Sequence, residues 1–237
     1  MSSKQLALPT TEQFPVMSRI LKDAGMNAER FAPSADDSSD EERPQGKLSP
    51  MMTSASTEYL TPPRILDLVE KVGPIDLDPC GHPMAEATKR ARNGSFILNI
   101  AAPSRPEKGE RWINCDGLTQ DWVRYVHSEL NPRRGLAFIN PPYGRALKAW
   151  AEKCATSMCL QIVLVPARTD TAWWGRLNPV AWCAVKGRLH FHGPDGQLIK
   201  DAAPFPSAVC LLHPEGDQLA RFVATFSTVG IVYRRAV

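Results

Sequence analysis

Leu136-Ala137-Phe138-Ile139-Asn140-Pro141-Pro142-Tyr143-Gly144 is an apolar run that ends in an amide, two prolines, an aromatic ring and a glycine. Four consecutive apolar residues read as a short buried strand. Two prolines cannot continue that strand, because each removes a ladder donor, so the chain must leave the sheet at Asn140. Open α/β sheets place their chemistry in such turns, at the carboxyl ends of strands. An amide oxygen and a backbone carbonyl can together accept both hydrogens of one NH2 group. A tyrosine ring offers a stacking surface to a flat heterocycle. The set suits an exocyclic amine on a base. The alternative is a proline-stiffened loop around a packed tyrosine.

The rest of the 237-residue chain sets the context for that turn. A hydrophobic share of 43% is enough for a real core, and no apolar run is long enough to cross a membrane. The N-terminus lacks a basic segment followed by an apolar one, so it does not read as a signal peptide. The six cysteines form no C-x-x-C pair, and free thiols in a reducing cytoplasm are the expectation. Cys154 and Cys159 resemble half a zinc site, but no second pair has ligand spacing, and His190 and His192 fit one side of a strand better than a metal. No metal is expected.

Residues 1–55 differ in composition. Asp36, Asp37, Asp40, Glu41 and Glu42 sit among serines and prolines, a mixture that buries too little surface to offset its ordering entropy. This stretch reads as a disordered acidic tail, with a short helix possible over 13–28, and residues 56–237 read as one domain. The tail carries more acidic than basic residues, so the domain is more basic than the whole chain with its formal charge of +3.

Within the domain, Thr61 before Pro62 reads as a helix N-cap with proline at the first helical position, and Gly73 as the stop. A strand over 74–78 runs into Asp78-Pro79-Cys80-Gly81 and a helix over 84–92, a nucleotide-type βα turn or an ordinary tight turn. Trp112 to Cys115 reads as a strand ending in Asp116-Gly117-Leu118. Asp116 is placed either to accept from an adenine amino group or to serve as a turn or cap residue. Helices follow over 119–130 and 146–157, and a buried strand over 160–165. Arg168, Thr169 and Asp170 form a loop on the same sheet edge as Asn140, followed by Trp173 and Trp174. Strands over 181–185 and 207–213 read as a hairpin closing the sheet. A last helix around Phe222 and an edge strand over 231–234 complete the chain.

Taken in order, these pieces resemble the phage-type DNA N-6-adenine methyltransferases, a family of S-adenosylmethionine-dependent amino methyltransferases. The resemblance covers residues 59–213. It rests on Thr61-Pro62-Pro63, Leu77-Asp78-Pro79-Cys80, Asp116-Gly117-Leu118 with Trp122, and Asn140-Pro141-Pro142-Tyr143. Further along it rests on Val165 to Thr171, Gly187-Arg188-Leu189-x-Phe191 and Pro204-Phe205-Pro206-Ser207. The Asn-Pro-Pro-Tyr piece is shared by amino methyltransferases in general; the combination is far more specific. The resemblance implies an α/β, Rossmann-like methyltransferase fold, with a mostly parallel seven-stranded sheet and one antiparallel strand.

It also implies roles. Thr61, Pro62 and the turn Asp78, Pro79, Cys80, Gly81 would hold the methionine end of S-adenosylmethionine, and Asp116 its adenine. Asn140 and Pro141 would hold the target amine, beside Pro142, and Tyr143 would stack on the target base. Arg145, Lys148 and Arg168 flank this site and either meet DNA phosphates or are simply solvated. The connection over 99–111 looks longer than is usual in the family, so the acidic residue expected on the cofactor ribose is unassigned, with Glu107 and Glu110 as candidates. The implied activity is site-specific N6 methylation of adenine in DNA in a bacterial cytoplasm, without metal or membrane. Cytosine N4, adenine in RNA and a glutamine amide in protein present the same NH2 group, and a non-catalytic DNA-binding homologue is a different class. No recognition module is visible, which leaves target readout to loops such as 93–110 or 193–204.

Overall fold

The computed structural model describes residues 59–87, 96–98, 111–126 and 135–236, all within the compact unit Ser49–Val237. The expected acidic tail and its helix lie outside the described residues. So do most of the helix expected over 84–92, the connection holding Glu107 and Glu110, and the end of the helix expected over 119–130.

The chain enters through helix α1 (Pro63–Val72), which buries Ile65, Leu66, Val69 and Val72 at helical spacing. The expected cap moves by one residue: Pro62 is the N-cap and Pro63 the first helical residue, and Thr61 makes no capping bond to the helix. The reason is local. A residue that precedes a proline is kept out of the helical region, and Pro62, with ψ at 141°, obeys that restriction. Gly73 does end the helix, but in extended rather than left-handed backbone.

Strand β1 (Ile75–Asp78) follows, then β2 (Phe96–Leu98), β3 (Arg111–Ile113), a 3-10 turn over Gly117–Thr119 and the short helix α2 (Trp122–Val126). Strand β4 (Leu136–Ile139) is the expected apolar run, and it is buried at every position. Gly144 then turns the chain at a φ of 98° into α3 (Leu147–Thr156). Strand β5 (Gln161–Pro166) is followed by α4 (Ala172–Leu177), β6 (Ala181–Val185), β7 (Ser207–Leu212), α5 (Gln218–Phe226) and β8 (Gly230–Arg234). Helix α4 carries Trp173 and Trp174, for which the pattern had indicated no element.

The fold is α/β, with one mixed eight-stranded sheet in the order β3-β2-β1-β4-β5-β7-β6-β8. Strands β1 to β5 are mutually parallel. Strand β7 runs antiparallel to both β5 and β6, and β8 runs antiparallel to β6. The expectation of seven strands with one reversed is therefore corrected to eight with two reversed. The strand without an expected counterpart is β2, which pairs in parallel with both β1 and β3. The second reversed strand is the expected C-terminal edge strand, which lies on the outer edge of β6, where Tyr233 stacks on Trp182 at 4.6 Å. Every residue of β4, β5 and β7 is buried, so both faces of the sheet centre are covered.

One consequence positions everything that follows. From β1 the chain moves outward to β2 and β3, and from β4 it moves the other way to β5. The order thus reverses between β1 and β4, and such a switch point leaves a crevice outside the carboxyl ends of the two strands. Asp78 ends β1, and Asn140 follows β4.

Candidate functional site

The two turns that the sequence singles out flank this crevice. Residues Asp78, Cys80 and Gly81 from the first and Asn140, Pro141 and Pro142 from the second line one open cleft with a cavity volume of about 100 Å3. Thr61 joins the same wall, as do Tyr59 and His82. Pro62 and Pro79 are buried beside it.

Asp78 is a carboxylate with only 4% of its surface exposed. Its Oδ1 accepts from the Cys80 N–H at 3.2 Å. Pro79 has no N–H to offer, so the first donor available to that oxygen is the one two residues on. The turn is thereby held tight, with the carboxylate at the cleft wall.

Asn140 is fastened from three directions. Its Nδ2 donates to the main-chain carbonyl of Tyr59. Its Oδ1 accepts from the Tyr143 hydroxyl at 3.0 Å. Its main-chain carbonyl accepts from the Cys80 thiol at 3.3 Å. A carbonyl can only accept, so Tyr59 decides which way the Asn140 amide faces. The tyrosine hydroxyl must then be the donor to Oδ1. An amide oxygen has two lone pairs, so one bond from Tyr143 leaves Oδ1 capacity for a second donor.

Both donors stay protonated. Burial pushes the Tyr143 hydroxyl well above its ordinary range, and the neighbouring Cys80 and Tyr59 add to the shift. Burial likewise pushes the Cys80 thiol well up, reinforced by the charge on Asp78.

Tyr143 is nearly covered, with 7% exposed. Its ring lies 5.6 Å from that of Tyr59 at a 30° tilt and meets Phe205 edge-on at 5.4 Å and Phe191 edge-on at 6.2 Å. Tyr59 in turn touches Phe191 and Phe205. Such spacings are those of mutually attractive aromatic pairs. The Tyr59 segment is strapped down by two main-chain bonds between Leu60 and His192. The cluster therefore draws one aromatic residue from each of four distant motif pieces. A base that stacks on Tyr143 must displace the Tyr59 ring. Composition gave no sign that Tyr59 belongs here.

Asp116 is used differently. Its side chain is exposed, and its Oδ1 accepts from the Leu118 N–H at 2.9 Å, capping the 3-10 turn. The cap expected as one reading of this residue is formed, and it uses one of the two carboxylate oxygens. Its neighbour Gly117 is pressed against the first turn: a Cβ there would stand 1.9 Å from the Pro79 carbonyl oxygen. Trp122 Nε1 donates to the Gly117 carbonyl at 2.7 Å and fixes the approach. Arg145, Lys148 and Arg168 are exposed, in the turn after β4, the first turn of α3 and the loop after β5. All three leave from the edge that carries Asn140.

Among the described residues no group of three or more His, Cys, Asp or Glu side chains is arranged to hold a metal. No helix there is long and apolar enough to cross a membrane. His190 and His192 lie in the connection over 186–206 rather than on a regular strand, His192 making isolated bridges to Leu60 and Leu198. The six cysteines are free. No protein-family model matches the chain, and no curated protein sequence matches it.

Proposed function

We propose that this chain is an S-adenosylmethionine-dependent methyltransferase of Rossmann-like fold that methylates the N6 amine of adenine in DNA. One observation carries the reading. The Asp78 turn and the Asn140 turn stand side by side at the switch point and share one cleft, with the Asn140 amide locked so that its oxygen is the acceptor. The order β3-β2-β1-β4-β5 supports it, because it is the doubly wound order of nucleotide-binding sheets.

The residues present fit the cofactor. A buried carboxylate at the cleft wall suits a cationic amino-acid end, and Gly81 permits close approach of a ligand to the backbone. Thr61, Asp78 and Gly81 would hold that end. Asp116 would meet the adenine end through its second carboxylate oxygen, since the Leu118 cap engages only Oδ1. When bound, the cofactor supplies an electrophilic methyl group.

The rest of the chemistry falls to Asn140 and Pro141. An adenine amine is paired within a duplex, so the base is taken out of the stack first. Its nitrogen lone pair is delocalised into the ring and is a poor nucleophile. Accepting one N–H at Asn140 Oδ1 and the other at the Pro141 carbonyl draws the nitrogen toward tetrahedral geometry and localises the pair. Positive charge then grows on that nitrogen as its bond to the methyl carbon forms at the expense of the carbon–sulfur bond, and one of the two N–H protons afterwards passes to solvent. The two acceptors hold the transition state more strongly than the ground state, which is what accelerates the step. Arg145, Lys148 and Arg168 are available to DNA phosphates on the same edge.

The test is incubation with methyl-labelled S-adenosylmethionine and separate pools of duplex DNA, single-stranded DNA, RNA and protein, followed by mass spectrometry of the labelled product. N6-methyladenine in DNA is expected, and Asn140→Ala should lower its formation by at least about 1,000-fold with cofactor still bound. Label in cytosine, RNA or protein overturns the substrate, and an active Asn140→Ala overturns the mechanism.

A further inference from the structure

We infer that Cys80 is a positioning residue for Asn140 and not a cofactor ligand, an inference that rests on the methyltransferase reading above. Cys80 is fixed at both ends. Its main-chain N–H is held by Asp78 Oδ1 at 3.2 Å, and its thiol reaches across to the main-chain carbonyl of Asn140 at 3.3 Å. One residue thus ties the end of β1 to the turn after β4 across the mouth of the crevice.

The carbonyl that it holds belongs to the peptide joining Asn140 to Pro141. That peptide is a rigid plane, the Pro141 ring locks φ just beyond it and Pro142 confines ψ of Pro141, so a tilt of the plane carries the Pro141 carbonyl with it and shifts it relative to the tethered Asn140 amide. These are the two proposed acceptors of the amine. The bonds from Tyr143 and to Tyr59 fix the Asn140 amide but not the peptide plane. Without the thiol the amide stays tethered while the second acceptor is free to rotate. Misplacement of one acceptor costs rate rather than binding, because its bond matters most when charge has developed. A thiol kept neutral by its surroundings remains a donor throughout the working pH range.

The test compares Cys80→Ala with Cys80→Ser in the full chain, on the DNA that the wild type methylates. Alanine removes the donor, and serine keeps one. Cys80→Ala should lower kcat about tenfold, the worth of one hydrogen bond, with KM for S-adenosylmethionine changed less than twofold. Cys80→Ser should recover most of kcat. A raised KM with unchanged kcat would make Cys80 a cofactor ligand and overturn the inference, and so would wild-type kinetics in Cys80→Ala. A second readout does not depend on turnover or on the alanine variant folding. The Raman S–H band lost in a wild-type minus Cys80→Ser difference spectrum should sit at the lowered frequency of a hydrogen-bonded thiol; a free-thiol frequency overturns the link. Should the wild type methylate nothing, the methyltransferase reading fails, while the Raman band still reports whether the bond exists.

Discussion

Two turns in this molecule have the same local recipe and opposite fates. Each is an aspartate at or just beyond a strand end, with a cysteine beside it and a glycine close by: Asp78 with Cys80 and Gly81 after β1, Asp116 with Cys115 and Gly117 after β3. The first buries its carboxylate in the cleft wall. The second leaves its carboxylate exposed and spends it on a cap. Local chemistry does not separate them; the neighbour of the strand does. Strand β1 lies at the reversal of strand order, beside β4, whereas β3 is the outermost strand of the sheet. In this sheet the strand-end aspartate that lines the cleft is the one at the reversal of strand order.

The contact between the turns is the most sensitive point. Gly117→Ala forces a methyl group to within 1.9 Å of the Pro79 carbonyl oxygen, against backbone that cannot step aside. About 3 kcal/mol or more of stability should be lost, read as a fall of about 10 °C in Tm. Gly175→Ala, where nothing lies within 4 Å of the new methyl, serves as the control and should leave Tm unchanged or raised. An unchanged Tm in Gly117→Ala would mean that the two turns are not in contact in solution.

The next effect separates the aspartates directly. Asp78→Ala should weaken S-adenosylmethionine binding about 100-fold by titration calorimetry, the loss of a buried charge-assisted contact. Asp116→Ala should change it less than about threefold and instead lower stability by about 1 kcal/mol, as loss of a cap does. Equal losses of affinity would show Asp116 holding the cofactor as Asp78 does, and the contrast between the turns would collapse.

The contrast also explains what was legible in the chain. Strand β4 was readable to the residue, because Gly135 and two prolines bracket four apolar side chains. So was the presence of α1, though not its first residue, since two successive prolines compete for one position and only the neighbour rule decides. Helix α4 was not readable: it is short, holds Gly175, and derives its helicity from Trp174 and Leu177 packing inward. The place of β7 between β5 and β6 depends on pairings that no local pattern encodes. In the site, Asp78 and Asn140 were legible as turn residues. The Tyr59, Tyr143, Phe191 and Phe205 cluster was not, because it exists only once four distant segments meet.

The smallest expected effect is the finest probe of the two turns, since each carries a cysteine. Burial raises the Cys115 thiol, with Asp116 adding to it; the Cys80 thiol is raised further, by burial and then Asp78. Alkylation follows the thiolate fraction and access. At pH 8, iodoacetamide should therefore reach Cys115 at least about tenfold faster than Cys80, resolved by peptide mass mapping. Comparable rates would mean that the Cys80 thiol is not held on Asn140. The same shifts fix the sign of the pH dependence. Cys159, pushed up to about 12, and Cys183, to about 11, are also held neutral by burial. Each folded value lies above that of an unfolded thiol, about 8.5. Their contribution to stability is whole below that value and is lost as pH rises toward the folded ones. The urea midpoint should hold level from pH 6 to 8 and fall above about pH 9. A midpoint that rises over that interval would mean that Cys159 and Cys183 are not held neutral by burial in solution.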